Sequence, residues 1–189
     1  QLYLRLCKIG VEGAETLAQG LQYVPELRCL GLFDNKLGNE GLHILVNKGL
    51  EHCPKLTELG LGKNGIGAAG AEALAEAGLA KCSELQELWL NDNALGPRGL
   101  EVLAVKGFVH CGRLKRLFLE RSELDEEAAR ALARHGLRHC PELVGLYLGG
   151  NAIGNSGAEE LADHGLRHCP KLSVLDLAGN GVGTRGAEA

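Results

Sequence analysis

The sequence predicts an α/β solenoid, a horseshoe arc with parallel strands on its concave face and helices on its convex face. Three observations predict this class. A pattern of 29 residues recurs along the chain, apolar residues alternate near the start of each copy, and they follow a helical spacing later in the same copy. One such unit cannot bury its apolar face alone, so stacked copies must share a continuous core.

The repeat units are defined by their first leucine. Residues 1–26 carry the same pattern, with Leu2 at its fourth position and one residue fewer before Leu21. The later units begin at Leu27, Leu56, Leu85, Leu114, Leu143 and, for a partial copy, Leu172. Residues 1–189 therefore form a single array of about six and a half units. We expect both ends to be uncapped and the array to belong to a longer chain, because no methionine is present and neither end has a polar capping unit.

Each unit opens with a strand. Apolar residues at positions 1, 4 and 6, such as Leu56, Leu59 and Leu61, bracket it. Successive side chains point to opposite faces, so positions 2, 3, 5, 7 and 8 should face outward on the concave side. Position 9 is asparagine in most units, and a buried amide there can hydrogen-bond to backbone groups of its own and the neighbouring unit. We expect this ladder to be weaker where Cys7 and Ser122 replace the asparagine.

Each unit then turns into a helix. From position 15 the apolar spacing becomes helical, and Ala71, Leu74, Ala75 and Leu79 fall on one stripe. Glycine recurs at positions 12 and 15. We expect the first glycine to sit in a turn with an unusual φ and the second to let the helix start lie close to the strands. The Leu114 unit has neither glycine and is the most divergent copy.

The shared pattern LxxLxLxxNx(I/L)GxxGAexLAxxGLxxCP resembles the leucine-rich repeat, and the resemblance covers the whole chain. Long helical units of 28 to 29 residues resemble the ribonuclease-inhibitor-like subfamily, which includes ribonuclease inhibitor, the Ran GTPase-activating protein and the sensor arrays of NOD-like receptors. The resemblance implies a protein-binding scaffold that uses its concave strand face. Family-specific contacts do not carry over, because only the repeat consensus matches.

Composition and charge exclude several classes. The chain is 45% hydrophobic and 23% charged, which is typical of a protein with a buried core. A net charge of −4 and a pI near 6.0 give no general basis for binding nucleic acid or an acidic membrane. No apolar run approaches the roughly 18 residues of a membrane span. We expect no enzymatic activity and no cofactor, because no nucleophile with its base and no isolated carboxylate pair stands out.

One segment has the form of a nucleotide-binding motif. Residues 60–65, GLGKNG, match G-x-G-x-x-G between a predicted strand and a predicted helix. The glycines that follow, Gly67 and Gly70, are however repeat glycines found in nearly every unit, and the neighbouring copies lack the first three. We therefore favour drift of the repeat over a nucleotide site.

Cysteines and histidines also fall into columns. Five cysteines are spaced 29 residues apart, which is the wrong arrangement for a disulfide framework and favours small buried apolar side chains: Cys53, Cys82, Cys111, Cys140 and Cys169. Free cysteines favour a reducing, intracellular compartment, which we take to be the cytoplasm. The pairs His135/His139 and His164/His168 have a spacing that can hold zinc. Because both pairs lie in nearly copied strings, we favour duplication and expect no metal site.

The variable positions of the strand face remain as the candidate binding site. Three successive units carry a large aromatic residue at position 5, namely Trp89, Phe118 and Tyr147. Because parallel strands lie about 4.8 Å apart, these rings should form one ridge of roughly 10 Å. Gly31 and Gly60 precede them at position 5 and leave a bare step, and Phe33 lies at position 7 nearby.

Single exposed aromatic residues need no explanation, but three in one column of a chain with 4% aromatic residues favour an interface. The surrounding charges are of mixed sign, which is typical of a polar rim. We predict that the partner-binding residues include, besides the three ridge residues and Phe33, the rim residues Glu87, Asn91, Asp92, Arg116 and Arg121.

The Leu114 unit is rich in basic residues. It accounts for seven of the 20 lysines and arginines, counting Arg113 just before it. Acidic residues interleave with them, so we expect the patch to be largely neutralised and do not expect nucleic acid as a partner.

Three hypotheses on function remain open. The array is a scaffold that recognises another protein, a regulator that acts on an enzyme as a GTPase activator or inhibitor does, or an architectural subunit of a large assembly.

Overall fold

Seven short strands run parallel in one open sheet, in the order in which they occur along the chain. The computed structural model describes residues 1–188. The strands are β1 Leu2–Tyr3, β2 Cys29–Gly31, β3 Glu58–Gly60, β4 Glu87–Trp89, β5 Arg116–Phe118, β6 Gly145–Tyr147 and β7 Val174–Asp176. Equivalent repeat positions pair across the sheet, as Leu30 with Leu59 and Leu88 with Leu117. The predicted α/β solenoid is confirmed.

Each strand is followed by a helix of the second layer. The α-helices are α1 Gly10–Leu21, α2 Gly38–Ile44, α3 Ala68–Ala73, α4 Gly96–Val102, α5 Glu126–Ala131, α6 Gly154–Glu160 and α7 Thr184–Ala187. They begin two or three residues before position 15, earlier than the apolar spacing indicates. The predicted buried stripe is confirmed, since Ala71, Leu74, Ala75 and Leu79 are each at most 1% exposed.

The helices α2 to α6 continue through a wider π turn and a final 3₁₀ turn. The π turns span Leu45–Gly49, Leu74–Gly78, Leu103–Gly107, Leu132–Gly136 and Leu161–Gly165, and the 3₁₀ turns span Leu50–His52, Leu79–Lys81, Phe108–His110, Leu137–His139 and Leu166–His168. A π turn accommodates one extra residue in a helix. The first unit is one residue shorter, and its helix α1 is α-helical throughout. The missing residue in the sequence thus corresponds to the missing π turn.

The cysteine column closes the end of each helix against the core. Cys53, Cys82, Cys111, Cys140 and Cys169 are at most 3% exposed, and all seven cysteines are free thiols. Burial raises the pKa of Cys82 and Cys111 to about 12 and that of Cys169 to about 11. The predicted role as small buried apolar side chains is confirmed.

The asparagine column forms the predicted ladder of hydrogen bonds. The Asn64 amide donates to the carbonyls of Leu32 and Leu61, at 2.8 and 3.0 Å. Its Oδ1 accepts from the backbone N–H of Asn35 at 3.0 Å. Within residues 1–188 the Ser122 hydroxyl donates only to backbone carbonyls, so the preceding unit loses its acceptor there. The expected weaker step at Ser122 is confirmed.

The prediction for the position-12 glycine holds in four units and is wrong in two. The backbone is left-handed, with φ of 62° to 63°, at Gly10, Gly38, Gly96 and Gly154. Gly67 and Gly183 are instead extended, with φ of −105° and −98°. There the helix start is capped by an asparagine of the preceding unit, because Asn39 Oδ1 accepts from the N–H of Gly67 at 2.8 Å and of Gly70 at 3.0 Å.

The position-15 glycine lies against a different neighbour from the one predicted. A Cβ on Gly157 would lie 2.5 Å from Ile153 Cγ2 and 3.0 Å from Ala129 Cβ. These atoms belong to its own turn and to helix α5, not to the strands. The prediction that this glycine spaces the helix from the strand layer is therefore wrong. It spaces neighbouring helices from each other.

Another recurring glycine lies inside the helices. We expect its replacement by alanine to change the free energy of unfolding in opposite directions at two equivalent positions. A Cβ on Gly107 would lie 2.9 Å from Leu79 Cδ1 and 3.2 Å from the backbone Cα of Ala75. At Gly20, the equivalent residue of α1, a Cβ would meet nothing within 4 Å. We expect Gly107→Ala to lower the free energy of unfolding by about 1–3 kcal/mol through overpacking. Gly20→Ala should raise it by about 0.5–1 kcal/mol, because alanine favours a helix.

Urea unfolding followed by circular dichroism measures both glycine variants. A stabilised Gly107→Ala variant would contradict the close helix–helix contact.

Candidate functional site

Three aromatic rings stack at the ends of β4, β5 and β6, on the face of the sheet opposite the helices. The register pairs Trp89 with Phe118 and Phe118 with Tyr147. The ring centroids lie 4.0 Å apart at 25° for the first pair and 4.5 Å apart at 6° for the second. Sequence reasoning predicted this cluster, and the structure brings its three members together. We call it the aromatic ridge.

The aromatic ridge is partly exposed along its length. Trp89 is 39% exposed, while Phe118 and Tyr147 are half-buried. The Tyr147 ring lies over Gly145, where a Cβ would come within 2.8 Å of Tyr147 Cε2. Because residue 145 is glycine, the Tyr147 ring can pack closely against the sheet. The ridge presents a partly exposed apolar surface to solvent.

Ion pairs flank the aromatic ridge on both sides. Arg116 bonds to Glu87 on one side, and Arg121 bonds to Asp92 on the other, with an Nη2–Oδ2 distance of 3.0 Å. The Arg121 guanidinium lowers the pKa of Asp92. These four predicted rim residues are therefore brought beside the ridge, but they pair with each other between adjacent units. Partly exposed pairs of this kind contribute little stability, and they leave the rim close to neutral.

Asn91 departs from the expectation that it lies on the exposed rim. It is only 9% exposed, because it packs over Gly62, where a Cβ would come within 2.8 Å of Asn91 Oδ1. Its amide donates to Asp92 Oδ2 at 2.7 Å, which leaves Oδ1 without a hydrogen-bond partner in residues 1–188. Asn91 therefore supports the Asp92–Arg121 pair from below.

Glu120, in the column of Asn91, is also partly buried. Its Oε2 has no hydrogen-bond partner among the described residues. Burial raises the pKa of this carboxyl. The column beside the ridge therefore carries two oxygen acceptors that receive no hydrogen bond from residues 1–188.

A slot beside Trp89 is lined in part by Phe33. The slot has a volume of about 410 Å³ and lies above the bare step at Gly31 and Gly60 that the sequence predicts. The Phe33 ring packs over Gly62, where a Cβ would come within 2.8 Å of Phe33 Cδ2, and the Arg5 guanidinium lies over the ring, 4.6 Å from the centroid. Phe33 thus lies along the position-7 edge of the slot and is not a member of the stacked ridge. Residues that line the slot are Tyr3, Arg5, Cys29, Leu30, Gly31, Phe33, Glu58, Gly60, Trp89 and Asn91.

Sequence reasoning did not assign Arg5 and Glu58 to the site. Both occupy outward-facing positions, Arg5 at position 7 and Glu58 at position 3, so the repeat register contained the signal. The sequence analysis did not reveal their role, because a slot forms only where two consecutive units have glycine at position 5. Tyr3 also lines the slot, and hydrogen bonding to Cys29 raises the pKa of its hydroxyl to about 12.

The basic residues of the Leu114 unit are mostly paired, although the partners differ from those expected. Arg113, Arg116 and Arg121 pair with acids of the preceding unit, and Arg134 pairs with Glu160 of the following one. Only one pair of this set, Arg130 with Glu127, lies within the unit. Stacking of units, rather than interleaving along the chain, neutralises the patch.

Three backbone N–H groups of the nucleotide-like segment are already hydrogen-bonded within the array. The backbone N–H groups of Leu61 and Lys63 donate to carbonyls of β4 and the turn after it, at 2.8 and 2.9 Å. That of Asn64 donates to Asn93 Oδ1 at 2.9 Å. Phosphate-binding loops need such N–H groups unpaired. The geometry therefore favours repeat drift, as the sequence does. In residues 1–188, no three His, Cys, Asp or Glu side chains converge to hold a metal ion.

Comparison with protein families gives one result. The model described as "Leucine Rich repeat" matches residues 1–18, 52–75, 81–104, 139–162 and 168–189, which is more than half of the chain. The units that begin at Leu27 and Leu114 lie largely outside these matches. No curated protein matches the chain. None of the helices in residues 1–188 combines the length and the apolar character that crossing a membrane requires.

Proposed function

This chain belongs to the leucine-rich-repeat family, whose repeats generally mediate protein–protein binding, and on that premise we propose that it is a non-enzymatic module that binds another protein through its aromatic ridge. The single observation that carries the proposal is the stack of Trp89, Phe118 and Tyr147 on the strand face. Large aromatic anchors supply most of the binding energy in protein interfaces. The stack also pre-organises the rings, so little side-chain entropy is lost on binding.

The flanking ion pairs support the same function. Glu87 pairs with Arg116, and Asp92 pairs with Arg121. Because these charges are already neutralised, they form a polar rim around the ridge that does not require a strongly charged partner. Among the predicted contact residues we retain these four and Phe33. Asn91 takes a supporting part, because it is buried beneath Asp92.

We further propose that the chain belongs to the ribonuclease-inhibitor-like branch and acts inside the cell. Units of 28 to 29 residues with a long helix support the branch. Seven free cysteines, six of them buried, support a reducing compartment, the cytoplasm in our proposal. A role as regulator of an enzyme, or as a subunit of a larger complex, uses the same ridge and is compatible with this proposal.

The proposal is tested by replacing two ridge residues at once. We expect Trp89→Ala with Phe118→Ala to weaken binding of the cognate protein about 100-fold or more, because two stacked anchors are lost. The partner is captured with the wild-type chain, identified by mass spectrometry, purified and titrated calorimetrically against each variant. Tyr23→Ala is the matched control, since Tyr23 is an exposed aromatic residue (79%) far from the ridge in the chain.

Circular dichroism and urea unfolding must show that the double variant still folds. If the purified partner binds the folded double variant as tightly as it binds wild type, the ridge is not the binding site.

A further inference from the structure

We propose that the slot beside Trp89 receives an arginine side chain of the protein partner. The guanidinium would stack on the free face of the Trp89 indole and pair with the Glu58 carboxylate. The proposal rests on the proposed function, because it assigns one contact within that interface. It goes further by naming the chemistry of the group that the partner must present.

The slot has the shape for one long, flat side chain. Its floor is the backbone of Gly31 and Gly60, where a Cβ on Gly60 would lie only 3.4 Å from the Gly31 Cα. On one side the Tyr3 ring leans over Gly31, within 2.9 Å of the position that a Cβ would take. On the other side stands Trp89. Two aromatic walls with a glycine floor enclose the volume of about 410 Å³.

Trp89 has one occupied face and one free face. Phe118 covers the first face at 4.0 Å. The second faces the neighbouring position-5 residue, which is Gly60 and has no side chain to cover it. An indole face is the best aromatic surface for a cation in proteins, and guanidinium groups stack on it with their plane parallel to the ring.

Glu58 supplies a negative charge at the slot, which Arg5 also lines. Within residues 1–188 no lysine or arginine nitrogen lies within 4 Å of its carboxylate. Two neighbouring carboxylates of the strand face are paired by contrast, Glu87 with Arg116 and Asp92 with Arg121. A carboxylate accepts two parallel hydrogen bonds from a guanidinium, which is a geometry that the ammonium of lysine lacks. Shape and charge together therefore select arginine.

The chain already contains one example of this contact. The Arg5 guanidinium lies over the Phe33 ring at 4.6 Å from its centroid, at the edge of the same slot.

The test uses Trp89 as its own reporter, because it is the only tryptophan in the chain. The probe is the peptide acetyl-Gly-Arg-Gly-amide, titrated at constant ionic strength while Trp89 fluorescence is recorded. The control probe carries citrulline, a neutral isostere of arginine. We expect saturable binding of the arginine peptide and about tenfold weaker binding of the citrulline peptide, because the charge-assisted hydrogen bonds are lost.

Two variants locate the binding. Glu58→Gln should reduce affinity for the arginine peptide about tenfold, and Gly60→Leu should abolish binding by filling the slot. The Gly60 backbone is extended and its Cβ position makes only ordinary contacts, so the fold tolerates the change. No saturable response to the arginine peptide, or equal responses of wild type and Glu58→Gln, would overturn the proposal.

The outcome also separates this inference from the proposed function. If the purified protein partner is lost by the ridge double variant but binds Glu58→Gln and Gly60→Leu as it binds wild type, the ridge remains the interface and the arginine contact is wrong. If it binds the ridge double variant unchanged, the proposed function itself is wrong.

Discussion

Above pH 9 the free energy of unfolding of this chain should fall steeply, because the buried cysteine column resists ionisation. Burial raises the pKa of Cys82 and Cys111 from 9.0 to about 12. Between those values an unfolded thiol releases its proton while the folded one keeps it. The folded chain then binds more protons, so stability falls as the pH rises. The contribution is fully present below pH 9 and is lost as the pH approaches 12.

The size of this effect is large for a protein of this length. Each fully shifted thiol removes about 1.4 kcal/mol per pH unit, so Cys82 and Cys111 together remove about 3 kcal/mol per unit. The pKa of Cys140 is also raised by burial, and it adds to the same trend. Since native stability is typically about 5–15 kcal/mol, unfolding is expected within a few pH units.

Urea unfolding at pH 7, 9, 10 and 10.5 (about these values, spanning the rise of thiolate in an unfolded chain) in reducing buffer measures the slope. We expect Cys82→Ala with Cys111→Ala to have a slope above pH 9 that is smaller by about two protons, whatever its stability at neutral pH. Cys7→Ala is the matched control, because Cys7 is exposed and lies outside the buried column. An unchanged slope in the double variant would assign alkaline unfolding to loss of lysine ion pairs instead.

Asn64→Ala should lower the free energy of unfolding by about 3–4 kcal/mol, the largest single effect of a polar residue that we expect. The Asn64 amide nitrogen donates to the carbonyls of Leu32, Leu61 and Gly62, and its Oδ1 accepts from the N–H groups of Asn35 and Leu37. The carbonyls of Leu32 and Leu61 keep a second donor from neighbouring asparagines. The Asn35 N–H keeps none, and a buried N–H without a partner costs about 1–3 kcal/mol in addition to the lost bonds.

The control for this prediction is Asn39→Ala. Asn39 is an exposed asparagine that caps the start of α3, and its loss should cost about 1 kcal/mol. Both variants are measured by urea unfolding at pH 7. If Asn64→Ala costs no more than Asn39→Ala, the ladder is not the stabilising element that its geometry indicates.

Features that repeat at a fixed spacing were predictable from the sequence, because stacking copies places equal positions side by side. The aromatic ridge, the asparagine ladder and the buried cysteines all follow from the 29-residue register. The weaker step at Ser122 was predictable for the same reason. Whether the ridge binds a partner stays a prediction.

Features that depend on which unit lies next to which were not predictable in this way. The arginines of the Leu114 unit pair with carboxylates 26 to 30 residues away, in adjacent units, and only Arg130 also pairs with an acid beside it in the chain, Glu127. The helix starts also differ, since Gly38 is left-handed whereas Gly67 is extended and capped by Asn39. The ion-pair partners and the conformation of the helix start depend on side chains of the neighbouring unit. They therefore cannot be read from the pattern of one unit.

By itself the sequence determined the solenoid, its register and the identity of the side chains on each face, because local periodicity and the need to bury one apolar stripe admit one arrangement. The tertiary structure alone decided how the aromatic ridge is framed. Trp89 stacks on Phe118 and faces Gly60, which has no side chain, on its other side. The rim charges pair with each other, Asn91 is buried beneath Asp92, and Glu58 forms no salt bridge within residues 1–188. The physical reason is that exposure and charge pairing depend on distances between units, which the stacking of neighbours sets.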